Sequence, residues 1–447
     1  MGLHPKHVVM LVVDSLPSNI INTEKDLPFL FANATRFTNA WSAGCWTLPA
    51  TASVLTGMMP HEHGAETRTR SGLRGDIPTL AELLRDNGFA TYQVTANAAT
   101  TTPFGLDRGF DRVIKAWELI VERHMSYEVL LSILGKRRLR QRAWHFGRDY
   151  ILGKLSEDVT SSRVWFTNTA EIVCTEASRI VDEHRRRDSQ SFVFMNLMEA
   201  HFPYRWGAPL ATTSDSLREA FREYRALYQL VNQTWLAKGE MTIAPDMLAR
   251  IRLRQCKAWK RLAPIVNTFV EKMAQHDDTV VIFMSDHGDC FGEDNTAYHF
   301  GNVTDNGNHV PLCIADGARL ETEEITTPVS SRDVFGTILD LAGIGHNHVN
   351  ILNTPERSTP FLQAQWYDLH GKTHAHYRHD LSGFVDDHGK PWMFRNGVWH
   401  RASSKGGRWI PEVRGVSPIE ELPMSRERRR AIQMAFDTHG KFRIANT

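Results

Sequence analysis

Two apolar, strand-like stretches of this chain run straight into an aspartate. Residues 8–13 (VVMLVV) lead into Asp14, and residues 280–285 (VVIFMS) lead into Asp286. In open α/β sheets, chemistry collects at the carboxyl ends of strands, where a carboxylate serves a site better than it serves a core. Asp286 is followed at once by His287 and Gly288. An Asp-His pair at a strand end offers an oxygen and a nitrogen to one divalent ion, and glycine lets the chain turn sharply behind it. Alone, an Asp-His-Gly turn is equally the sequence of an ordinary loop. The second strand-end aspartate makes the pair worth following.

The elements around these residues read as alternating strands and helices. Residues 7–13 form a continuous Val-rich run, as a strand buried on both faces requires, and residues 37–41 read as a short second strand. A helix is expected over 49–55, with Pro49 at an early position where its missing N–H costs little. Over 79–87, Thr79 and Glu82 make a capping-box pattern and Gly88 ends the helix; a strand over 89–95 follows. Residues 116–188 read as helical and carry the basic run Lys136, Arg137, Arg138, Arg140 and Arg142, taken as a solvated helix face. Strands are expected at 191–198, 279–285 and 310–315, a helical stretch at 216–275, and an amphipathic helix at 333–341 closed by Gly343. The expected fold class is α/β, a mostly parallel central sheet flanked by helices. A catalytic domain would occupy residues 1–347, with a helical insert at about 116–190. Beyond about His348 the texture changes to Trp, His, Gly and Arg with little periodicity, which suggests a small C-terminal subdomain or lid over 348–447.

Between the two aspartates lies Gly44-Cys-Trp-Thr-Leu-Pro-Ala-Thr-Ala-Ser-Val-Leu-Thr-Gly57. This segment resembles the nucleophile loop of the alkaline phosphatase/sulfatase superfamily, in which sulfatases carry Cys/Ser-x-Pro-x-Arg and then a helix ending in Leu-Thr-Gly. Further similarities occur in order: Asn97 before Gly109-Phe110-Asp111, Met198-Glu-Ala-His201-Phe-Pro203-Tyr204, Ser285-Asp-His-Gly288 with Phe291-Gly-Glu293, His299, and His309-Val-Pro-Leu312. They span residues 7 to about 344.

The resemblance implies an alkaline phosphatase-like fold with Thr47 as nucleophile. It also implies one divalent ion held by Asp14, Thr47, Asp286 and His287. A threonine hydroxyl needs a metal or a base to become reactive, and a place just before a helix start favours a phosphoryl anion. His201 and His299 are implied as catalytic residues at the substrate oxygens and the leaving group, with Asn97 and His309 as possible substrate-binding residues. His61 and His63 are read as surface-loop residues. Two-metal relatives carry an Asp-x-x-x-His pair in mid-chain; Glu199-Ala-His201 lacks that spacing, so one ion is expected, with a second site from His201, His299 and His309 as the alternative. A mixed Asp/His set suits manganese or zinc better than calcium.

The departures narrow the reading. Cys45 lies two residues before the nucleophile position, outside the x-Pro-x-Arg context that formylglycine conversion needs. Thr51 stands where sulfatases carry arginine, and Ser15 where many carry a second aspartate. What remains resembles the threonine-nucleophile branch: phosphodiesterases, phosphonate monoester hydrolases and phosphotransferases. The expected function is therefore hydrolysis or transfer of phosphate or phosphonate esters through a phospho-threonine. The alternatives are a sulfatase acting without formylglycine and a silent binding module of the same fold. The substrate would be a small-molecule or oligomeric phosphate or sulfate ester.

Composition excludes little and agrees. The 447 residues are 42% hydrophobic and 23% charged with a formal net charge of +1, which points to neither a nucleic-acid binder nor a membrane-surface protein. Residues 8–13 are too few for a signal-peptide core, and no apolar run is long enough to span a membrane. Five scattered cysteines without a CxxC pair favour a reducing, cytoplasmic setting.

Overall fold

The computed structural model describes residues 4–65, 72–116, 118–119, 169–202, 204, 222, 225–226, 243–293, 297–299, 303–363, 382–395, 398–402, 409–411 and 425–438. The first strands are β1 (His7–Val13), β2 (Thr35–Trp41), β3 (Ala90–Thr95), β4 (Arg112–Lys115), β5 (Ser191–Leu197) and β6 (Thr279–Met284). A two-stranded hairpin, β7 (Cys290–Phe291) and β8 (Ala297–Tyr298), precedes β9 (His309–Asp316), β10 (Glu323–Ile325) and β11 (Val329–Ser330). The main helices are α1 (Thr47–Thr56), α2 (Leu80–Asp86), α3 (Thr169–Arg186), α4 (Pro245–Ala274), α5 (Val334–Leu341) and α6 (Arg426–Thr438).

The large sheet runs β10-β2-β9-β6-β1-β5-β3-β4, with β11 on the end of β2. Every pairing in it is parallel except those of β9, which is antiparallel to both β2 and β6. The mostly parallel α/β sheet expected from the sequence is thus observed. β1 sits near its middle and is buried along its whole length. Alternate side chains of a strand face opposite sides, and both sides are covered. Val8, Met10 and Val12 join one apolar core, while Val9, Leu11 and Val13 join the other. Burial on both faces is why the sequence shows an unbroken apolar run rather than alternation. The first core is closed by α1, α2 and α5 through residues such as Leu55, Leu84 and Ile338. The second is closed by α3 and α4 through Val173, Ile180, Trp259, Val266 and Phe269.

A second, antiparallel sheet is formed by β12 (Phe361–Gln363), β13 (Ser382–Val385), β14 (Pro391–Arg395), β15 (Val398–Ala402) and β16 (Trp409–Pro411). Leu362, Val385 and Met393 pack into the first core. The buried Arg428 of α6 donates to the carbonyl oxygens of Pro328 and Ser358 and pairs with Asp387 at 2.6 Å, which fastens α6 to the body of the protein.

Several expectations shift in detail. The nucleophile-loop helix begins at Thr47, two residues ahead of Pro49, and β2 is longer than residues 37–41. The capping box of α2 forms as read, with both Thr79–Glu82 hydrogen bonds in place. Strands β4, β10 and β11 carry no strong apolar alternation and were not expected. Of the two long helical stretches, α3 and α4 are the helices observed among the described residues; the basic run 136–142 lies outside them. Among the described residues, no helix is long and apolar enough to cross a membrane.

Candidate active site

Register delivers three site residues to one level of the sheet. Val12 of β1 pairs with Met284 of β6, and Thr95 of β3 pairs with Asn196, which pairs in turn with Val12. Two residues further along each strand stand Asp14, Asp286 and Asn97. They leave the same edge of the sheet side by side, because parallel strands place all their carboxyl ends together. Ser15 then turns in the left-handed region at φ 61. Its backbone N–H donates to Asp286 Oδ1 at 3.2 Å, and its hydroxyl donates to Asp14 Oδ1 at 3.0 Å. A positive φ on a non-glycine residue costs about 1–3 kcal/mol and is sustained here by these bonds.

Thr47 enters from above. Its Oγ1 lies 3.3 Å from Asp14 Oδ2 and 3.3 Å from His287 Nε2. His287 Nδ1 lies 2.9 Å from the carbonyl oxygen of Gly288, so Nδ1 carries the proton and Nε2 turns its lone pair inward. Asn97 donates from Nδ2 to Asp14 Oδ2 at 2.7 Å while its Oδ1 accepts from Ala99 N–H at 2.8 Å. It orients the carboxylate.

The loops carrying Thr47 and His287 are locked to each other through residues 304–308. Gly288 N–H donates to Gly307 O at 2.8 Å, and a Cβ on Gly288 would lie 1.9 Å from the Asn306 carbonyl oxygen, so only glycine fits. Asn308 is fully buried and donates from Nδ2 to the carbonyl oxygens of Ser42 at 3.2 Å and Gly44 at 3.0 Å. One short turn thereby sets the gap between nucleophile and ligand loops.

The histidines divide. His299 packs edge-on to His287 with ring centroids 4.5 Å apart. His201 lies near both, its Nε2 at 3.9 Å from Asp14 Oδ1 and 3.1 Å from the Tyr298 hydroxyl. His309 makes its contacts beside β2 instead: Nε2 is 3.1 Å from Thr38 O and the ring stacks on Trp41 at 4.9 Å. The structure therefore holds His309 by a strand-edge carbonyl and an indole rather than by the Thr47 cluster. His63, read as a surface-loop residue, is fully buried. Its Nε2 lies 3.1 Å from Ser53 Oγ and its Nδ1 accepts from Ala65 N–H at 3.1 Å, which braces α1 from beneath. His61 is half-buried and bonds Gln363 of β12.

Asp289 escaped the sequence reading. It precedes β7, His299 follows β8, and the antiparallel pairing Cys290↔Tyr298 brings the two together. Asp289 Oδ1 is 2.6 Å from His299 Nδ1, and Oδ2 accepts from the Tyr204 hydroxyl at 2.5 Å. Strands of two residues leave almost no periodicity to detect.

Electrostatics follow from burial. Burial alone would raise Asp14, but His201, His287 and the Asn97 amide outweigh it and hold the carboxyl below its usual range. Asp286 is pushed well above the carboxylate range by burial and by the neighbouring Asp14 charge. Asp289 is raised to about 6 by burial, against the lowering influence of His201, His287 and Tyr204. Burial also drives His299 well below the usual histidine range, with His287 and His201 adding to it.

Two fully enclosed carboxylates side by side are unfavourable unless a cation joins them. Asp14, Asp286 and His287 place one ligand atom each within 4.8 Å of one another. Asp286 Oδ2 is buried without a hydrogen-bond partner, 3.5 Å from His287 Nε2. Donor separations of 3.3–3.7 Å match the edge of a tetrahedron with ligand distances of ~2.1 Å, about 3.4 Å. The residues fit a divalent ion. His287, Asp289 and His299 also lie within 4.8 Å of one another, but the short His299–Asp289 and Tyr204–Asp289 hydrogen bonds already satisfy that carboxylate.

A family model described as Sulfatase matches residues 6–344. The choline-sulfatase of Rhizobium meliloti is 38% identical over 96 residues, 19% of this chain and 18% of that protein. The N-acetylglucosamine-6-O-sulfatase of Bacteroides thetaiotaomicron is 20% identical over 359 residues, 69% of this chain and 61% of that protein. The chain thus spans less than two thirds of the length of these curated relatives. The phosphonate monoester hydrolase of Agrobacterium radiobacter shares the fold, with a TM-score of 0.62 at 15% identity over 98% of this chain and 96% of that one. The family match begins before Asp14, ends after His309 and so encloses the whole cluster around Thr47: the chain belongs to the sulfatase family.

Proposed function

We propose that this member of the family hydrolyses or transfers phosphate or phosphonate esters, through a covalent phospho-threonine on Thr47. The observation that carries the reading is the position of Thr47 Oγ1, 3.3 Å from both Asp14 Oδ2 and His287 Nε2 at the first turn of α1. A divalent ion held by Asp14, Asp286 and His287, manganese or zinc by the mixed oxygen–nitrogen donor set, would polarise a substrate oxygen and lower the pKa of the Thr47 hydroxyl. Thr47 would attack in line, with the amino end of α1 facing the transferring anion. His201 and His299 would serve the substrate and leaving-group oxygens. β12 abuts the nucleophile loop, since Gln363 N–H donates to Ala43 O at 3.0 Å. We take this contact as support for β12 bordering the substrate.

The second reading is sulfate-ester hydrolysis through unmodified Thr47, favoured by the names of the curated relatives. Chemistry weighs against it. Thr47 has no aldehyde hydrate from which a sulfate could be expelled, so a sulfo-threonine would need direct attack at sulfur. Cys45 is buried in the first core, two residues from the nucleophile position. Thr51, one turn along α1 from Thr47, supplies a buried hydroxyl rather than a positive charge. A single ion also suits a singly charged diester or phosphonate monoester better than a dianion.

The test is kcat/KM for a matched aryl phosphodiester, phosphonate monoester, phosphate monoester and sulfate ester with the metal-loaded protein. Diester or phosphonate turnover should lead. Sulfate turnover ahead of all three promotes the second reading and ends the first.

A further inference from the structure

The buried face of α4 carries one residue out of keeping with its neighbours. Leu248, Ile251, Ala258, Leu262 and Val266 follow one another at the three- and four-residue spacing of a helix that packs one side into a core. Gln255 stands in the same stripe and is fully buried. An amide placed there costs stability unless its donors are used. Its Nε2 donates to Ser15 O at 2.8 Å and to Ala200 O at 3.1 Å, and lies 3.5 Å from Asp289 Oδ2. All three partners are oxygens, so the group between them must be a donor. An amide turned the other way would set its own oxygen against all three. In the observed orientation Oε1 is buried without a hydrogen bond, a cost that a packing role alone would not bear.

The three oxygens belong to three different loops. β6, β1 and β5 are neighbours in the sheet, and Asp289, Ser15 and Ala200 lie in the segments that leave their carboxyl ends. Each segment carries site residues: Asp286 and His287 after β6, Asp14 after β1, and His201 after β5. Ser15 is the tightest junction. Its N–H donates to Asp286 Oδ1 at 3.2 Å and its hydroxyl to Asp14 Oδ1 at 3.0 Å, while its carbonyl is held by Gln255 and its φ is 61°. The Ala200 carbonyl immediately precedes His201, whose Nε2 is 3.9 Å from Asp14 Oδ1.

We propose, building on the reading of Asp14, Asp286 and His287 as an ion site with His201 beside it, that Gln255 is a positioning residue whose amide sets the spacing between the two. It touches neither ion nor substrate and acts through the Ser15 and Ala200 carbonyls. Without the amide, the Ser15 turn loses one of its three restraints, and the two carboxylates that would share an ion are freer to separate. The His201 turn keeps its anchor on α3, where Glu199 accepts from Ala170 N–H at 2.8 Å, but loses one tie to the ion loops. Ion affinity and turnover then fall together, while a side chain of similar length keeps the packing of α4. Supporting groups of this kind decide whether a site is held tightly enough to work.

The experiment compares wild type, Gln255→Met, Gln255→Asn and a packing control on the same helix face, Leu262→Ala, as full-length chains. Mn(II) affinity is measured by titrating the chelated proteins, melting by calorimetry without metal, and kcat and KM with an ester that the wild type turns over. Methionine matches the length of glutamine and lacks its donors. Gln255→Met should bind Mn(II) about tenfold more weakly and lose about 10–100-fold in kcat, with KM nearly unchanged. Gln255→Asn keeps the amide on a shorter stem and should fall between Met and wild type; it carries the test if the Met variant folds poorly. Leu262→Ala should melt at a lower temperature yet hold Mn(II) as the wild type does. Wild-type affinity and kcat in Gln255→Met would overturn the proposal. An equal loss of affinity in Leu262→Ala would do so too, by reducing Gln255 to packing. Absence of Mn(II) binding by the wild type is a different result, which ends the ion-site reading, and the proposal with it, before any variant is compared.

Discussion

Asn97 Nδ2 lies 2.7 Å from Asp14 Oδ2. The bond joins the end of β3 to the end of β1 across the intervening β5, and Asn97 is itself held by Ala99 N–H at the start of a short 3-10 turn. An amide fixed at both ends points one carboxylate oxygen toward Thr47. Partners that orient an ion's carboxylate ligand typically contribute 10–100-fold to metal affinity or activity. We predict that Asn97→Ala weakens ion binding by about tenfold and lowers kcat by a similar factor, with KM nearly unchanged. Titration of the metal-free variant and steady-state kinetics check it; a rise in KM alone would return Asn97 to substrate binding.

Thr47→Ala should abolish turnover while one equivalent of ion remains, since Asp14, Asp286 and His287 are untouched. Loss of a covalent nucleophile removes several powers of ten in rate. Cys45 is a different matter. It is 1% exposed in the first core, so Cys45→Ser buries a new hydroxyl and should cost about 1–3 kcal/mol of stability with kcat retained. Thermal melting and kcat measured together separate the two effects. Residual activity above about a tenth in Thr47→Ala would contradict its role as nucleophile.

The ends of buried strands were the most readable part of the sequence. β1, β5 and β6 are enclosed on both faces, so their apolar runs are unbroken and the first polar residue marks the sheet edge where Asp14 and Asp286 stand. Asp289 was illegible because its partner is chosen by a hairpin of two-residue strands. His63 was misread because Pro60-His-Glu-His63 is polar in sequence, while its burial is decided by Ser53 and Ala65 on neighbouring segments. His309 sits at the expected sequence position, yet β9 runs antiparallel to β2 and pairs it with Trp41. In each case the deciding contact is tertiary, between segments whose own patterns are silent.

His63 gives the fold an acid-sensitive brace beneath α1. Its Nδ1 accepts from Ala65 N–H, so a second ring proton would break that bond, and burial lowers its pKa from 6.5 to about 3. The unfolded chain takes up the proton near pH 6.5 and the folded one does not, so between 6.5 and about 3 the unfolded state binds more protons. Stability is therefore complete above pH 6.5 and falls with pH through that window. The slope reaches at most about 1.4 kcal/mol per pH unit for the site. We predict that His63→Asn, which keeps an acceptor for Ala65 N–H, flattens part of the dependence of the urea midpoint between pH 6.5 and 4. Parallel curves for the two proteins would remove His63 from the acid response.

Ion content follows from the chemistry of the two three-residue groups found among the described residues. Asp14 and Asp286 are enclosed carboxylates, and Asp286 is driven upward by burial and then by the Asp14 charge. Without a cation, the pair relieves its repulsion by taking up a proton; with one, that proton leaves. We therefore predict one tightly bound divalent ion per chain, with proton release on binding at neutral pH. The other group, His287, Asp289 and His299, already has Nδ1 of His287 committed to Gly288 O and Asp289 committed to His299 and Tyr204. A second ion there would have to displace protons from satisfied hydrogen bonds and would bring another positive charge beside the first. Elemental analysis after exhaustive dialysis, and calorimetric titration of the chelated protein in two buffers of different ionisation enthalpy, measure both quantities. One equivalent with a buffer-dependent heat is the expected result. Two tightly held equivalents would overturn the single-ion site, and a buffer-independent heat would mean that Asp14 and Asp286 stay ionised side by side without their cation.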